Sequence, residues 1–291
     1  MILSIGELLV DMIGETVDGT PNFKAFGGGA PFNVAVNAKQ SGAKVGFVGR
    51  VGSDPLGKFL LGFSNKVGFD YLNLQIDEVR NTTIAFVTLT DGERDFAFFR
   101  HKTADYNLST EGIDFSNFDI VHLGSLMLSE KEGVAFAKKV VKKVRKAGKI
   151  LSFDVNFRKD LYKDFSDAVK AYKPFIEEAD ILKFSDDEIL DFTGKSTIEE
   201  AVKLIEKPNK LLLITLGSKG SSYYYNDLSG TIPTEKVKPV DTTGAGDAFF
   251  GCFLANVDGK ELTKENIENA LILANKKGAD ATQFKGAVKL D

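Results

Sequence analysis

Ile120-Val-His-Leu123, Ile150-Leu-Ser-Phe153, Ile181-Leu-Lys-Phe184 and Leu211-Leu-Leu-Ile-Thr-Leu216 are short apolar runs that recur about every thirty residues. Each is the length of a buried strand. Between them lie longer stretches with apolar residues at helical spacing, at Glu130–Ala147, Ser166–Glu178 and Thr197–Glu206. Strands joined by helices must run parallel, because a parallel connection needs a crossover long enough to hold a helix. The fold class is therefore α/β, with a mostly parallel, Rossmann-like central sheet flanked by helices.

The pattern extends toward the N-terminus. Ile2–Val10 reads as a first strand interrupted by Gly6, and Val45–Val48 as another buried strand. Gly27-Gly28-Gly29-Ala30-Pro31 opens a helix that stops near Gly42. Asp54-Pro55 starts a second, in which Leu56, Phe59, Leu60, Phe63 and Val67 share a face before Gly68. Two segments break the alternation. Thr83–Leu89 and Phe96–Arg100 flank Asp91-Gly92, a hairpin turn signal, and Asp11–Phe26 looks extended. These predict a small separate β-sheet, formed by about 12–26 and 82–101, acting as a lid on one domain spanning 1–291. Tyr223–Tyr225 followed by Asn226-Asp227 predicts a late hairpin.

Composition narrows the function. The 291 residues carry 37 basic and 41 acidic side chains, a net charge of −4, and are 43% hydrophobic. An acidic chain gains nothing from nucleic acid or an anionic membrane. The longest strongly apolar stretch, Ala248–Ala255, is too short to span a bilayer, and Met1–Val10 does not read as a signal peptide. One cysteine and two histidines exclude a disulfide framework and make a cysteine or histidine metal centre an unpromising reading. The expectation is a cytoplasmic protein that acts on small molecules.

The chemistry concentrates in Asp241-Thr-Thr-Gly244-Ala245-Gly246-Asp247-Ala-Phe-Phe-Gly251. Two glycines lead into an apolar helix, and the free amides at a helix start attract phosphate. A carboxylate inside an anion site suits proton transfer, so Asp247 is a candidate base for a hydroxyl attacking a phosphoryl group. A plain helix start with Asp247 as a favourable first-turn acid is the competing reading. Gly52-Ser-Asp-Pro-Leu-Gly57-Lys58 resembles a P-loop but has Phe59 where the hydroxyl for magnesium belongs, so it reads as a helix start. No G-x-G-x-x-G dinucleotide fingerprint is present.

Asp241–Gly251 resembles the C-terminal signature of the ribokinase-like (PfkB) carbohydrate kinases. Gly27-Gly-Gly-Ala-Pro-Phe-Asn33, continuing to Gly49-Arg-Val-Gly-Ser-Asp54-Pro-Leu-Gly57, resembles the N-terminal one. The resemblance covers essentially the whole chain and implies ATP-dependent phosphorylation of a sugar hydroxyl. It implies Asp247 as base, Gly244, Ala245 and Gly246 as the phosphoryl-binding amides, and Arg158 beside the transferring group. Asp11, Gly28, Gly29 and Asn33 match sugar-binding positions, and Arg100 would reach the sugar from the lid. Asp154, Asn156 and Arg158 alternate onto one face and could join a magnesium–phosphate network. The nucleotide would lie along Lys183, Ser185, Glu188, Thr215, Gly217, Gly220, Gly244, Gly246, Asn275 and Gly278. Ser185 stands where the family usually has Asn. Glu188 would serve Mg²⁺, and Asp241 and Thr243 match a monovalent-cation site suited to K⁺. His101, His122 and Cys252 read as structural.

Gly6-Glu7-Leu-Leu-Val-Asp11, Arg100-x-x-x-Ala104-Asp105 and Asp154-x-Asn156-x-Arg158 look most like the fructokinase branch, which implies D-fructose phosphorylated to fructose 6-phosphate. 2-Keto-3-deoxygluconate and ribose are rival acceptors within the family, along with nucleosides. A non-catalytic sugar or nucleotide sensor is the rival from another class, and the intact Asp247 disfavours it. A homodimer through the lid edge is a further expectation.

Overall fold

The computed structural model describes residues 1–17, 20–90 and 93–290. Among them, the strands form two sheets of nine and four. The large sheet has the spatial order β13-β12-β11-β10-β9-β8-β1-β4-β5. Its parallel part comprises β1 (Ile2–Ile5), β4 (Val45–Gly52), β5 (Tyr71–Asp77), β8 (Ile120–Leu123), β9 (Ile150–Asp154), β10 (Ile181–Ser185) and β11 (Leu211–Thr215). The hairpin of β12 (Ser221–Tyr225) and β13 (Leu228–Ile232) adds antiparallel strands at one edge, turning at Asn226 with φ 51°.

Alternation within the strands sorts the core into two layers. Leu212 and Ile214 pack on one face with Leu182, Phe184 and Phe153, beneath α3 (Lys131–Lys146) and α4 (Phe165–Glu178). Leu211, Leu213 and Ile181 face the other way, toward α1 (Ala30–Gln40), α7 (Ala245–Val257) and α8 (Lys264–Ala281). Lys183 and Asp154 therefore emerge on the α1–α7 face at the carboxyl ends of their strands, where a doubly wound sheet opens its ligand crevice. Gly251 lets α7 lie directly on α1, since a Cβ there would stand 2.4 Å from the Val34 carbonyl oxygen.

The starts of α2 and α6 fall where expected, and α5 is a further helix that the sequence reading did not mark. Asp54 caps α2 (Pro55–Val67) by accepting from the Gly57 amide at 2.8 Å, which confirms a helix start rather than a phosphate loop. Ser185 and Glu188 form a reciprocal capping box on α5 (Asp186–Thr193), and Thr197 caps α6 (Ile198–Ile205). No described helix is long and apolar enough to cross a membrane.

The first strand is a correction. Ile2–Val10 is not one strand: the chain breaks at Gly6, and Leu9 enters the small sheet. Gly6 has φ 157°, and a side chain there would meet Pro31 Cγ at 2.5 Å, so the turn depends on close packing against α1. Asp11 lies inside β2 (Leu9–Val17) rather than ending β1. The small sheet has the order β3-β2-β6-β7, with β3 (Thr20–Gly28), β6 (Ile84–Thr90) and β7 (Glu93–Phe99). Its strands match the expected excursion, although the Asp91-Gly92 turn lies outside the described residues.

Candidate active site

Two cavities meet at the N-terminus of α7. One, of about 350 Å³, is bounded by both sheets. Leu9, Asp11, Ala85 and Phe98 come from the small sheet, and Asp154, Asn156, Arg158 and Lys183 from the carboxyl ends of the large one. Gly29, Ala30 and Asn33 on α1 face Gly244, Gly246 and Asp247 on the other side. The second cavity, of about 520 Å³, runs along Thr215, Gly217 and Gly220 to Asn275 and Gly278. Thr242 and Gly246 line both.

The helix start explains why an anion would lodge at that junction. Gly244 adopts a left-handed conformation (φ 76°) that turns the chain into α7. The Gly244 carbonyl accepts from Ala248 as the first intrahelical bond, so the amides of Gly246 and Asp247 have no helical carbonyl to pair with. Asp247 is 9% exposed and accepts from Asn33 Nδ2 at 2.9 Å. Burial raises its pKa above the usual aspartate value, opposed by the Asn33 hydrogen bond and the charges of Arg158 and Lys183. An anionic base beside unpaired amides can accept a proton while the amides hold the group being transferred.

Asp11 lies across the cavity from Asp247. Burial pushes its pKa up to about 7, with Arg158 pulling the other way. Gly28 lies behind it: a Cβ on Gly28 would stand 2.0 Å from Asp11 Oδ2, so the glycine makes room for the carboxylate without lining the cavity. Lys183 lines the first cavity beside Gly246 and not the second, and its Nζ contacts both Asp154 oxygens at 2.9 and 2.8 Å. Burial alone would lower the Lys183 pKa, but Asp154 and Glu188 outweigh it and hold it raised.

Three further expectations meet a different geometry. Arg100 does not enter the cavity. It is buried against Asp105, with Nε at 2.8 Å and Nη2 at 2.7 Å from Oδ2, and its guanidinium lies over the Tyr106 ring. Thr83 and Thr103 hydroxyls donate to the other Asp105 oxygen, so this cluster ties both ends of the β6–β7 hairpin to the body. Ser185 and Glu188 line neither cavity. Glu188 Oε1 accepts from the Phe157 amide at 2.7 Å and Oε2 from the Ser185 amide at 2.8 Å. With Asp154 held by Lys183, and no cluster of three His, Cys, Asp or Glu among the described residues, the side chains offer no cage for Mg²⁺. They suit a cation that keeps much of its water and is held mainly by nucleotide phosphates.

Asp241 stands just before the loop that leads into α7. Its Oδ1 accepts from the Thr243 amide at 2.7 Å and its Oδ2 from the Gly286 amide at 3.0 Å, joining that loop to the turn after α8. His122 is buried, bonded to Ser152 and edge-on to Phe250, with burial pushing its pKa down to about 3, as a structural residue requires. Cys252 is a buried core thiol, and its pKa is raised by burial. Glu7 went unmarked among the site residues. It is 3% exposed, lines the cavity, accepts from the Ala30 amide at 3.2 Å, and burial pushes its pKa up to about 8. Its only sequence signal was an acidic residue inside an apolar run.

Residues 1–290 match the pfkB family carbohydrate kinase. The chain is 36% identical over 302 residues to fructokinase-2 of Solanum lycopersicum, covering 99% of this chain and 92% of that protein. It is 35% identical over 301 residues to fructokinase-1 of Zea mays, covering 99% and 93%. Among solved structures, fructokinase from Xylella fastidiosa with bound ATP superposes with a TM-score of 0.88 at 30% identity, covering 98% of this chain and 93% of that one. Fructokinase from Vibrio cholerae O395, bound to fructose, ADP and calcium ion, gives 0.86 at 30% identity, covering 99% and 94%. A match over residues 1–290 and likeness along the whole sequence to fructokinases, on a fold that sets a buried carboxylate at a helix start between two cavities, lead to one conclusion: the chain belongs to the pfkB family of carbohydrate kinases.

Proposed function

We propose that this carbohydrate kinase transfers the γ-phosphoryl group of ATP to the primary 6-hydroxyl of D-fructose. The observation that carries the reading is Asp247, hydrogen-bonded to Asn33 at the one helix start that both cavities share. The fructokinase relatives, and the neighbour holding fructose and ADP, support fructose as acceptor. In the reaction the hydroxyl oxygen forms a bond to the γ-phosphorus and its proton passes to Asp247. The bond to the β,γ-bridging oxygen breaks, and its electron pair leaves with ADP. Gly244, Ala245, Gly246 and Arg158 face the migrating charge. Asp11, Gly29 and Asn33 hold sugar hydroxyls, whereas Thr215, Gly217, Gly220, Asn275 and Gly278 line the nucleotide groove.

Mg²⁺ would arrive with the nucleotide and neutralise its phosphate oxygens. Asp241 and Thr243, joined to the turn at Gly286, would order a K⁺ site beside the phosphate loop. The small sheet forms a lid on a single domain and excludes water, which would otherwise compete as acceptor. Phe86 packs against Phe23 and Phe99 across that sheet, with centroids 4.8 and 5.2 Å apart, and Phe99 is 61% exposed, a face suited to a second copy of the chain.

Assay of ATP consumption and sugar phosphate over fructose, ribose, 2-keto-3-deoxygluconate and a nucleoside tests the assignment. Fructose is expected to give the highest kcat/KM. Equal or better turnover of another acceptor would overturn fructose, and binding without turnover of any would favour a sensor.

A further inference from the structure

The net charge of −4 conceals a segregated distribution. Eight basic side chains and one acidic one lie between Lys131 and Lys149, a net +7, so the rest of the chain carries −11. The apolar side of α3 is sealed into the core by Phe136, Val140 and Val144. Its other side presents Lys138, Lys139, Lys142 and Lys146 to solvent. Arg145 beside them pairs with Glu178 and Asp180, but among the described residues these four lysines have no carboxylate within ion-pairing distance. The helix dipole favours cations in the last turn only, which leaves Lys138 and Lys139 unaccounted for. Lys138, Lys142 and Lys146 are spaced four apart, where like charges repel. A face that served solubility alone would interleave acids, as α4 does with Asp167–Lys170 and Lys173–Glu177.

The row is about 12 Å long at the rise of a helix. It runs toward the amino ends of the strands, since α3 leads into β9, and both cavities lie toward the opposite ends. Acids stand on either side of it. β8 and β10 flank β9, and Asp119 and Asp180, just before those strands, pair with Lys149 and Arg145. A flat anionic membrane laid on the row would meet these carboxylates too, and α3 exposes no large apolar side chain to insert. A linear polyanion can follow the row and avoid them. From this segregation we propose that the exposed face of α3 binds the phosphate backbone of a nucleic-acid duplex. Phosphate contacts carry no sequence information, and α3 exposes no aromatic ring, so binding is indifferent to base sequence. Screening over about 8 Å at physiological ionic strength keeps acids elsewhere on the molecule from cancelling the attraction. The kinase site stays open while the duplex is bound.

Fluorescence anisotropy of a labelled DNA duplex of mixed sequence, titrated with the protein at about 50 and 200 mM salt, tests this. Engagement of four phosphates predicts a slope of log K against log salt of about −3.6, roughly a hundredfold loss between the two conditions. The triple variant Lys138→Gln/Lys142→Gln/Lys146→Gln should bind about tenfold more weakly or worse at the lower salt, with the slope reduced by about 2.7. Arginine at the same three positions keeps the charge and should keep the affinity. Lys195→Gln/Lys203→Gln/Lys207→Gln makes an equal change in net charge at exposed lysines elsewhere, and should bind as wild type does. None of these readouts depends on turnover. Three results would each overturn the proposal. One is no binding at the lower salt with protein at about 100 μM. Another is equal weakening by both glutamine variants, which would reduce the effect to net charge. The third is binding to phosphatidylglycerol vesicles that the duplex fails to displace, which would assign the face to a membrane.

Discussion

Asn33 and Asp247 are 214 positions apart in sequence, yet Asn33 Nδ2 donates to Asp247 Oδ2 at 2.9 Å. The contact joins the first turns of two helices whose starts bracket the cavity between the two sheets. Asp247→Asn keeps the size of the side chain but cannot take a proton. kcat on fructose is expected to fall by about 10²–10⁴ with small changes in KM. Steady-state kinetics on the folded variant check this, and activity within a few-fold of wild type would leave Asp247 as a helix-start acid only.

The same hydrogen bond sets a pH dependence. Asp247 must be ionised to act as base, and burial raises its pKa, so the acid limb of kcat should lie above the range of an ordinary aspartate. Asn33 favours the ionised form. Asn33→Ala should move that limb to still higher pH, as a pH profile would reveal.

Gly28→Ala would place a methyl group against the Asp11 carboxylate, at 2.0 Å from Oδ2 before relaxation. The carboxylate has to move. Losing one charged hydrogen bond to a hydroxyl raises KM for fructose by about tenfold to a hundredfold. KM for ATP should stay close to wild type, because the nucleotide groove is remote from β2.

Asp105→Ala strips Arg100 of its partner in a site where the two side chains are 3% and 1% exposed. Breaking a buried pair in this way costs about 3–5 kcal/mol. Urea denaturation should record a loss of that order. Hydrogen exchange should rise along Ile84–Thr90, whose entry is held by the Thr83–Asp105 bond.

Glu7→Gln tests a buried acid through stability alone. The folded-state pKa of Glu7, about 8, lies above the ordinary value of 4.5, since burial disfavours the charged form. Its contribution is complete below that ordinary value and is lost as pH climbs toward 8. Wild type should therefore lose stability relative to Glu7→Gln across this window, by a few kcal/mol at most. Denaturation curves at pH 5 and pH 8.5 give the difference.

Much of this was legible in the sequence because strands and helix caps are local signals. Ile120–Leu123 and the helix after Glu130 fall where periodicity puts them. The strands of the small sheet were legible too, since an extended pattern that interrupts helical crossovers has no place in the parallel sheet. The interruption at Gly6 was visible, but the passage of the chain there from one sheet to the other was not, because it depends on Pro31 packing against Gly6 from α1. Arg100 and Glu188 carried family positions, but Asp105 with Ser129 around Arg100 and the Phe157 amide on Glu188 are settled only by tertiary packing, whereas the Ser185 amide on Glu188 belongs to a local Ser-x-x-Glu capping box. Lys183 shows the same limit. Its strand was readable, and the cavity it enters was not.

The sheet change at Gly6 also divides the molecule's labour. Asp11 belongs to the small sheet, while Asn33 and Asp247 belong to the large body and are bonded to each other. On the proposed roles, the share of acceptor recognition that Asp11 supplies can drift without touching the base, whereas the share that Asn33 supplies cannot. A scaffold organised this way leaves one wall of its pocket free to vary and ties the other to its chemistry.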